Sequence, residues 1–169
     1  IEEFAGVGVS LTQADCMRTT GLRIDAVVAF WERERPWVGA TPAEVAERIV
    51  TRVIELVRAE GELLPGAREA LDFFAARGLP RGLASSSPRR LIDAVLACLG
   101  LAERFDAVHS AEGEARGKPD PAVYLHTAAR LGHDPRRCLA LEDSLPGVLA
   151  AVEAYAGAQD GDDWSKAAP

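Results

Sequence analysis

Cysteine is scarce in this sequence. The three residues present, Cys16, Cys98 and Cys138, are odd in number, lie far apart and form no C-x-x-C pair. This usage argues against a disulfide framework or a structural zinc site, and it favours a reducing compartment. We therefore expect a cytoplasmic protein.

Long basic runs and long apolar runs are also missing. The formal net charge is −7 with no cluster of Lys or Arg, so neither nucleic acid nor a polyanionic membrane surface is an expected partner. No apolar run approaches the length of a membrane-spanning helix. The first residues, Ile1 to Phe4, lack an initiator Met and the pattern of a signal peptide, and we expect that the sequence begins partway into a gene product.

The composition is that of a globular domain. The chain has 169 residues, of which 48% are hydrophobic, enough for one compact core with a small appended lobe. We expect a monomer. The first third predicts helices, because apolar residues recur at helical spacing from Ile24 to Trp31 and Thr41-Pro42-Ala43-Glu44 has the form of a capping box.

From Leu64 onward, short apolar segments alternate with helical ones. The predicted strands are 79–84, 105–109 and 138–141, and the predicted helices are 65–77, a segment starting at Ser87-Pro88, a segment starting at Asp120-Pro121, and 145–155. This alternation predicts an α/β fold with a parallel sheet covered on both faces. Ligands of such sheets lie beyond the carboxyl ends of the strands.

A run of hydroxyl residues follows the first predicted strand. In the stretch GLASSSP, Ser85 and Ser86 stand at the strand end, just before a helix start. Their hydroxyls and the free N–H groups of the helix terminus could donate to a phosphate. The alternative is that Ser87 only caps the helix.

A lysine is held between turn-forming residues in the stretch GKPDP. Lys118 cannot join a helix there, and an ammonium group fixed in this way can neutralise a phosphate or a developing negative charge. The alternative is a solvated lysine in a turn, with Asp120 capping the next helix.

Two adjacent carboxylates follow the third predicted strand, in the stretch LEDS. Glu142 and Asp143 would repel each other unless a cation or a donor compensates, and hard oxygen ligands of this kind suit Mg²⁺. The alternative is an acidic start of a helix, which the helix dipole favours.

Taken in this order, the three motifs resemble those of the haloacid-dehalogenase-like hydrolases, in particular the β-phosphoglucomutase-like branch with a small helical cap. The stretch GLRIDAVVAFWERERPW resembles the cap segment of the bacterial hexitol and 2-deoxyglucose-6-phosphate phosphatases. The resemblance covers about Gly6 to Gly157. It implies a Rossmann-type core with a helical cap, and a phosphatase acting on small phosphorylated sugars or sugar alcohols.

The resemblance also implies roles for individual residues. Ser85, Ser86 and Lys118 would bind the phosphoryl group, with Ser85 and Lys118 counted as catalytic, while Asp143 and Glu142 would hold Mg²⁺. Arg23 stands where this branch often carries a substrate-binding arginine, although an exposed helix-start arginine is the alternative. Trp31 and Trp37 are expected to pack within the cap, with stacking on a sugar as the alternative. His109, His126 and His133 show no paired spacing, and we expect them at the surface or at helix ends.

The sequence departs from the family pattern at both ends. The family's first strand ends in Asp-x-Asp-Gly, whose first Asp attacks phosphorus, and the only D-x-D here, Asp160-Gly161-Asp162, follows no apolar strand. We expect the first core strand upstream of Ile1 and a last core strand missing after the helix at Val148. The expected organisation is a partial helical cap (1–62), an incomplete core (63–157) and an irregular tail (158–169).

Three alternatives remain open. A phosphomutase of the same branch would retain the phosphate on the sugar, and the sequence does not separate it firmly from a phosphatase. A receiver-type signalling domain also uses acids, a hydroxyl and a lysine, but in a different order along the chain. A non-catalytic binding protein or fragment is the third, because the nucleophile is not among these residues.

Overall fold

A computed structural model describes residues 1–157 of the chain, and the expected tail 158–169 lies outside the described residues. The described part is largely helical around a small parallel sheet. Its helices and strands, in chain order, are α1 Glu2–Ala5, α2 Gln13–Met17, α3 Ile24–Glu34, α4 Pro42–Glu60, α5 Ala67–Ala75, β1 Gly82–Ser85, α6 Arg89–Cys98, β2 Ala107–Ser110, α7 Ala122–Leu131 and α8 Leu145–Gly157. Three short 3₁₀ turns lie at Ala102–Arg104, Ala111–Gly113 and Pro135–Arg137.

Helix α4 begins where its capping sequence predicts. The Thr41 hydroxyl accepts from the backbone N–H of Glu44 at 3.3 Å, and the Glu44 carboxylate accepts from the backbone N–H of Thr41 at 2.7 Å. These two bonds satisfy donors that the start of a helix otherwise leaves free, and Pro42 occupies the first helical position, where no N–H is needed. Gly61 ends the helix.

The first 62 residues form their own apolar cluster. Its buried members come from α1, the turn after it, α3 and α4: Phe4, Val9, Leu11, Val28, Trp31 and Val45. Trp31 is 1% exposed, and Trp37 lies against Phe4 with its indole N–H donating to the carbonyl of Ala40 at 3.0 Å. Both tryptophans are therefore packing residues of this helical lobe.

The rest of the chain has a second cluster around the sheet. Ile92 and Leu96 of α6 and Leu101 are buried against a surrounding set of apolar side chains, namely Leu63, Leu71, Leu83, Leu99, Phe105 and Val108. No member of either cluster belongs to the other, which supports dividing the chain near residue 62, and we retain that division as a proposal.

Strands β1 and β2 pair in parallel, with Gly82 opposite Ala107 and Ser85 opposite Ser110. Helix α7 packs against both strands and α6 against β2. The parallel α/β arrangement predicted from the alternation of segments is confirmed, with strands that begin two or three residues later than predicted. Among the described residues the sheet has these two strands.

The predicted third strand at 138–141 is wrong for this structure. These residues have no strand assignment, and Leu139 and Leu141 are 74% and 69% exposed. A strand requires a neighbour that accepts and donates along its edge. No segment within residues 1–157 pairs with 138–141, so their apolar pattern alone does not make a strand.

None of the helices in the described part of the chain combines the length and apolar character needed to cross a membrane.

Candidate active site at the strand ends

Lys118 is the buried cation of the site. It precedes α7, is 7% exposed, and its Nζ donates to Glu142 Oε2 at 2.6 Å. The same ammonium group lies 3.4 Å from the carbonyl oxygen of Ala84, near the carboxyl end of β1, and 4.9 Å from the ring centre of Tyr124. Lys118 is therefore fixed at the edge of the sheet where ligands of α/β folds bind.

Both oxygens of Glu142 are held by donors. Oε2 accepts from Lys118 and from the Tyr124 hydroxyl at 2.5 Å. Oε1 accepts from the backbone N–H groups of Asp143 and Ser144 and from the Ser144 hydroxyl, at 3.2, 3.1 and 2.8 Å. A Cβ atom at Gly147 would lie 2.0 Å from the Glu142 carboxyl carbon, so any side chain at this position in α8 would displace the Glu142 carboxylate from the arrangement described.

These contacts determine the charge state of the carboxylate. Burial alone would raise the pKa of Glu142, but the hydrogen bonds from Lys118, Tyr124 and Ser144 outweigh it and lower the pKa to about 2. In turn, burial and the hydrogen bond to the negative carboxylate raise the pKa of the Tyr124 hydroxyl. Glu142 and Lys118 thus form a buried ion pair at neutral pH.

The serine run lies beside this pair. Ser85 is the last residue of β1, and its hydroxyl accepts from the backbone N–H of Ser87 at 3.1 Å. The Ser86 hydroxyl donates to the carbonyl of Gly21 at 2.8 Å, which links the strand end to the helical lobe. Helix α6 starts with no side-chain cap from Ser87, and the Glu112 carboxylate accepts the N–H of Arg89 at 3.0 Å instead.

Asp143 differs from its neighbour in being exposed. It is a carboxylate open to solvent beside a buried ion pair, whereas both oxygens of Glu142 already have partners. The donor chemistry of these residues fits Mg²⁺, which prefers oxygen ligands, and Asp143 is the carboxylate that would hold it.

Arg23 binds the core rather than open solvent. Its guanidinium donates to the carbonyl oxygens of Ala111 and Glu114, at 3.1 and 2.6 Å, and pairs with Asp25. The arginine also borders a cavity of about 190 Å³ between the two lobes, together with Ile24, Asp25, Ser86, Pro88 and Glu112. Arg23 therefore links the helical lobe to the loop that contains Ala111 and Glu114, and it lines this cavity.

Two histidines have a different setting from the one expected. His109 lies in β2 and His126 in the middle of α7, both partly buried, and each has a ring nitrogen 2.5 Å from the same oxygen of Glu114. The surface or helix-end assignment is wrong for these two, whereas His133 is exposed just after the end of α7. The packing of α7 on β2 brings His109 and His126 together. Because they belong to different elements, their spacing along the sequence gives no signal of this contact.

The chain matches the haloacid dehalogenase-like hydrolase family over residues 3–154, and it belongs to that family. It is 44% identical over 155 residues to hexitol phosphatase B of Escherichia coli K12, a match that covers 91% of this chain and 70% of the relative. Among solved structures it resembles CbbY of Rhodobacter sphaeroides in complex with phosphate, with a TM-score of 0.79 and 26% identity over 90% of this chain and 72% of that one.

The fold is also that of β-phosphoglucomutase from Clostridium difficile, with a TM-score of 0.75 at 22% identity over 91% of this chain and 71% of that one. The resemblance stated from the three motifs is thereby confirmed, as is the α/β fold with a Rossmann-type core. The family is one of hydrolases, which places the chain in an enzyme class.

Proposed function

We propose that this chain is the phosphate-binding and metal-binding part of a Mg²⁺-dependent phosphatase that acts on small phosphorylated sugars or sugar alcohols. The observation that carries the proposal is the buried Lys118–Glu142 pair at the carboxyl end of β1. The 44% identity to hexitol phosphatase B supports the substrate class.

Lys118 supplies the positive charge for the phosphoryl group. Its Nζ has one short bond to Glu142 and a long one to Ala84, so it keeps a donor for a phosphate oxygen. The Ser85 hydroxyl and the backbone N–H groups of the serine run are donors on the neighbouring strand end. Fixed donors stabilise charge that develops on a transferring phosphoryl group without reorganising during the reaction.

Glu142 and Asp143 have separate tasks in this proposal. Glu142 orients Lys118, because both of its oxygens are already held, and Asp143 is the carboxylate that this chain offers to Mg²⁺. Held there, the ion would supply positive charge against the phosphate. Glu142 is the second candidate ligand for the metal. Its Oε1 accepts hydrogen bonds from two backbone N–H groups and the Ser144 hydroxyl, and this oxygen could bind the ion while keeping some of them.

The reaction requires a carboxylate nucleophile. In the family pattern an Asp attacks phosphorus, the sugar hydroxyl leaves, and water then hydrolyses the aspartyl-phosphate to release inorganic phosphate. The printed sequence contains no Asp-x-Asp-Gly segment. We therefore propose that the chain as written binds phosphate weakly and does not turn over. A phosphomutase that returns the phosphate to the sugar is the alternative, which the fold shared with β-phosphoglucomutase keeps open.

The proposal is tested by comparing two proteins. One is the chain as written, and the other carries an upstream strand segment that ends in Asp-x-Asp-Gly. Phosphate release from hexitol and hexose phosphates is measured with and without Mg²⁺. We expect activity only in the extended chain with Mg²⁺, at least 100-fold reduced by Asp143→Asn and unchanged by Glu153→Gln on the exposed side of α8.

Two results would count against the proposal. Mg²⁺-dependent turnover by the written chain, abolished by Asp143→Asn, would show that the nucleophile is already present. Transfer of phosphate to a second hydroxyl of the sugar, with no free phosphate formed, would favour the mutase.

A further inference from the structure

A cluster of three metal-binding side chains lies outside the site described above. His109, Glu114 and His126 each offer one ligand atom, and these three atoms lie within 4.8 Å of one another. Among the described residues, 1–157, no other set of three or more His, Cys, Asp or Glu side chains comes this close together. The cluster shares no residue with the Lys118–Glu142 pair. The proposed phosphatase does not use it.

We propose that His109, Glu114 and His126 form a binding site for a divalent transition-metal ion, with Zn²⁺ as the preferred ion.

The ligand set is appropriate for such an ion. Two imidazoles and one carboxylate are the three protein ligands of many zinc sites, in which water or another ligand takes the fourth position. Imidazole nitrogens also discriminate against Mg²⁺, which prefers oxygen ligands. The site would thus select a different metal from the one proposed at Asp143.

The ligand atoms of the cluster must move apart to admit an ion. Each histidine nitrogen is 2.5 Å from the Glu114 oxygen, and the two rings stand edge to face with centres 5.4 Å apart. In a tetrahedral zinc site neighbouring ligand atoms are about 3.3 Å apart, as follows from bonds of 2.0–2.1 Å. The Glu114 oxygen would therefore have to move about 0.8 Å further from each histidine nitrogen to admit the ion, which side-chain rotations can supply.

The three ligands are supported by packed elements. His109 belongs to β2, His126 to α7, and the carbonyl of Glu114 is bound by the Arg23 guanidinium at 2.6 Å. The side chains of Glu114 and His109 are 10% and 14% exposed, so the carboxylate is screened from water but not sealed off. Burial raises the pKa of Glu114, but the hydrogen bonds with both histidines outweigh it and lower the pKa below its usual value.

A bound ion would join β2, α7 and the loop that leads to Lys118. The same loop is bound by Arg23 from the helical lobe. The metal would therefore have a structural role. It would stabilise the loop that positions Lys118 and the contact of that loop with the helical lobe, and it would take no part in the chemical step.

The experiment uses the full 169-residue chain, freed of metal with a chelator and titrated with Zn²⁺ and Co²⁺. We expect one ion per chain with micromolar or tighter affinity, a visible Co²⁺ absorption band of low coordination number, and no displacement by millimolar Mg²⁺. His109→Ala and His126→Ala should each weaken Zn²⁺ binding at least tenfold. The matched control His133→Ala, and Asp143→Asn at the proposed magnesium site, should leave it unchanged.

A second measurement needs no variant. The chain has three histidines, so the ring nitrogens can be followed by ¹⁵N NMR during the titration. Zn²⁺ should shift those of His109 and His126 and leave those of His133 in place. Absence of saturable binding at 1 mM Zn²⁺, equal loss of affinity in His133→Ala, or shifts confined to His133 would each overturn the proposal and leave a hydrogen-bonded His–Glu–His cluster only.

Discussion

The two halves of the described chain bury different kinds of side chain. The helical lobe buries large apolar side chains against one another, with Trp31, Val28 and Val45 at 1% exposure or less. The second half buries Lys118 and Ser144, while Leu139, Leu141 and Leu145 are each more than two-thirds exposed. The first half is organised around a hydrophobic core, whereas the second half combines a smaller apolar cluster of Ile92, Leu96 and Leu101 with a buried polar site. Mutations should therefore act through packing in the first half, and through packing or charge in the second half, depending on which of these two regions they change.

The largest effect is expected in the packing half. Trp31→Ala removes the largest fully buried side chain and should lower the free energy of unfolding by about 3–5 kcal/mol, because the cavity cannot collapse completely. The measurement is urea denaturation followed by circular dichroism. Val38→Ala, at a side chain that is 90% exposed, should change stability by less than about 0.5 kcal/mol. A mild effect of Trp31→Ala would mean that the helical lobe is loosely packed.

The corresponding change in the polar half is Glu142→Gln. It leaves the buried ammonium of Lys118 without its counter-ion and should destabilise the protein by about 3 kcal/mol. Glu62→Gln, at an exposed position, is the matched control and should be nearly neutral. If the two variants unfold at the same urea concentration, the ion pair is not buried in solution.

Acid should destabilise the polar half in particular, because it protonates Glu142 and so removes the ion pair with Lys118. The pKa of Glu142 is lowered in the folded protein from 4.5 to about 2, so its contribution is complete above pH 4.5 and is lost as the pH falls towards 2. We expect the stability difference between wild type and Glu142→Gln to shrink by about 2 kcal/mol over that interval. Unfolding curves at half-unit pH steps measure it, and a constant difference would show that the pKa of Glu142 is not depressed.

The smallest effect is expected at the exposed apolar residues of the polar half. Leu139→Ser removes an apolar side chain that is 74% exposed and should change stability in the written chain by less than about 0.5 kcal/mol. The same substitution at Leu96, which is 6% exposed in the cluster around α6, should cost several kcal/mol. A large effect at Leu139 would show that residues 138–141 are packed in solution.

Local signals in the sequence predicted the parts of the fold that depend on near neighbours. The capping box at Thr41, the apolar stripe of α3 and the helix starts after Pro88 and Pro121 are such features, and the structure confirms them. The prediction of a strand at 138–141 is wrong because a strand forms only with a pairing partner, which is often remote in sequence and which an apolar pattern does not reveal.

The same distinction applies to the candidate site. The serine, lysine and acidic motifs marked Ser85, Lys118 and Glu142 as candidates, and the structure places Lys118 beside Glu142. Sequence reasoning did not find the donors that occupy Glu142, in particular Tyr124, which is 18 residues away. It also missed the cluster of His109, Glu114 and His126, because residues on a strand, a loop and a helix meet there only after folding.

The most direct test of the central claim is phosphate binding by the chain as written. Inorganic phosphate is titrated in the presence of Mg²⁺ and followed by ³¹P NMR, comparing wild type with Lys118→Met and with the charge-matched control Arg58→Met on the exposed side of α4. We predict weak, saturable binding in the millimolar range for wild type and Arg58→Met, and at least tenfold weaker binding for Lys118→Met. Equal binding by Lys118→Met and wild type would contradict the assignment of Lys118 as the phosphate-binding cation.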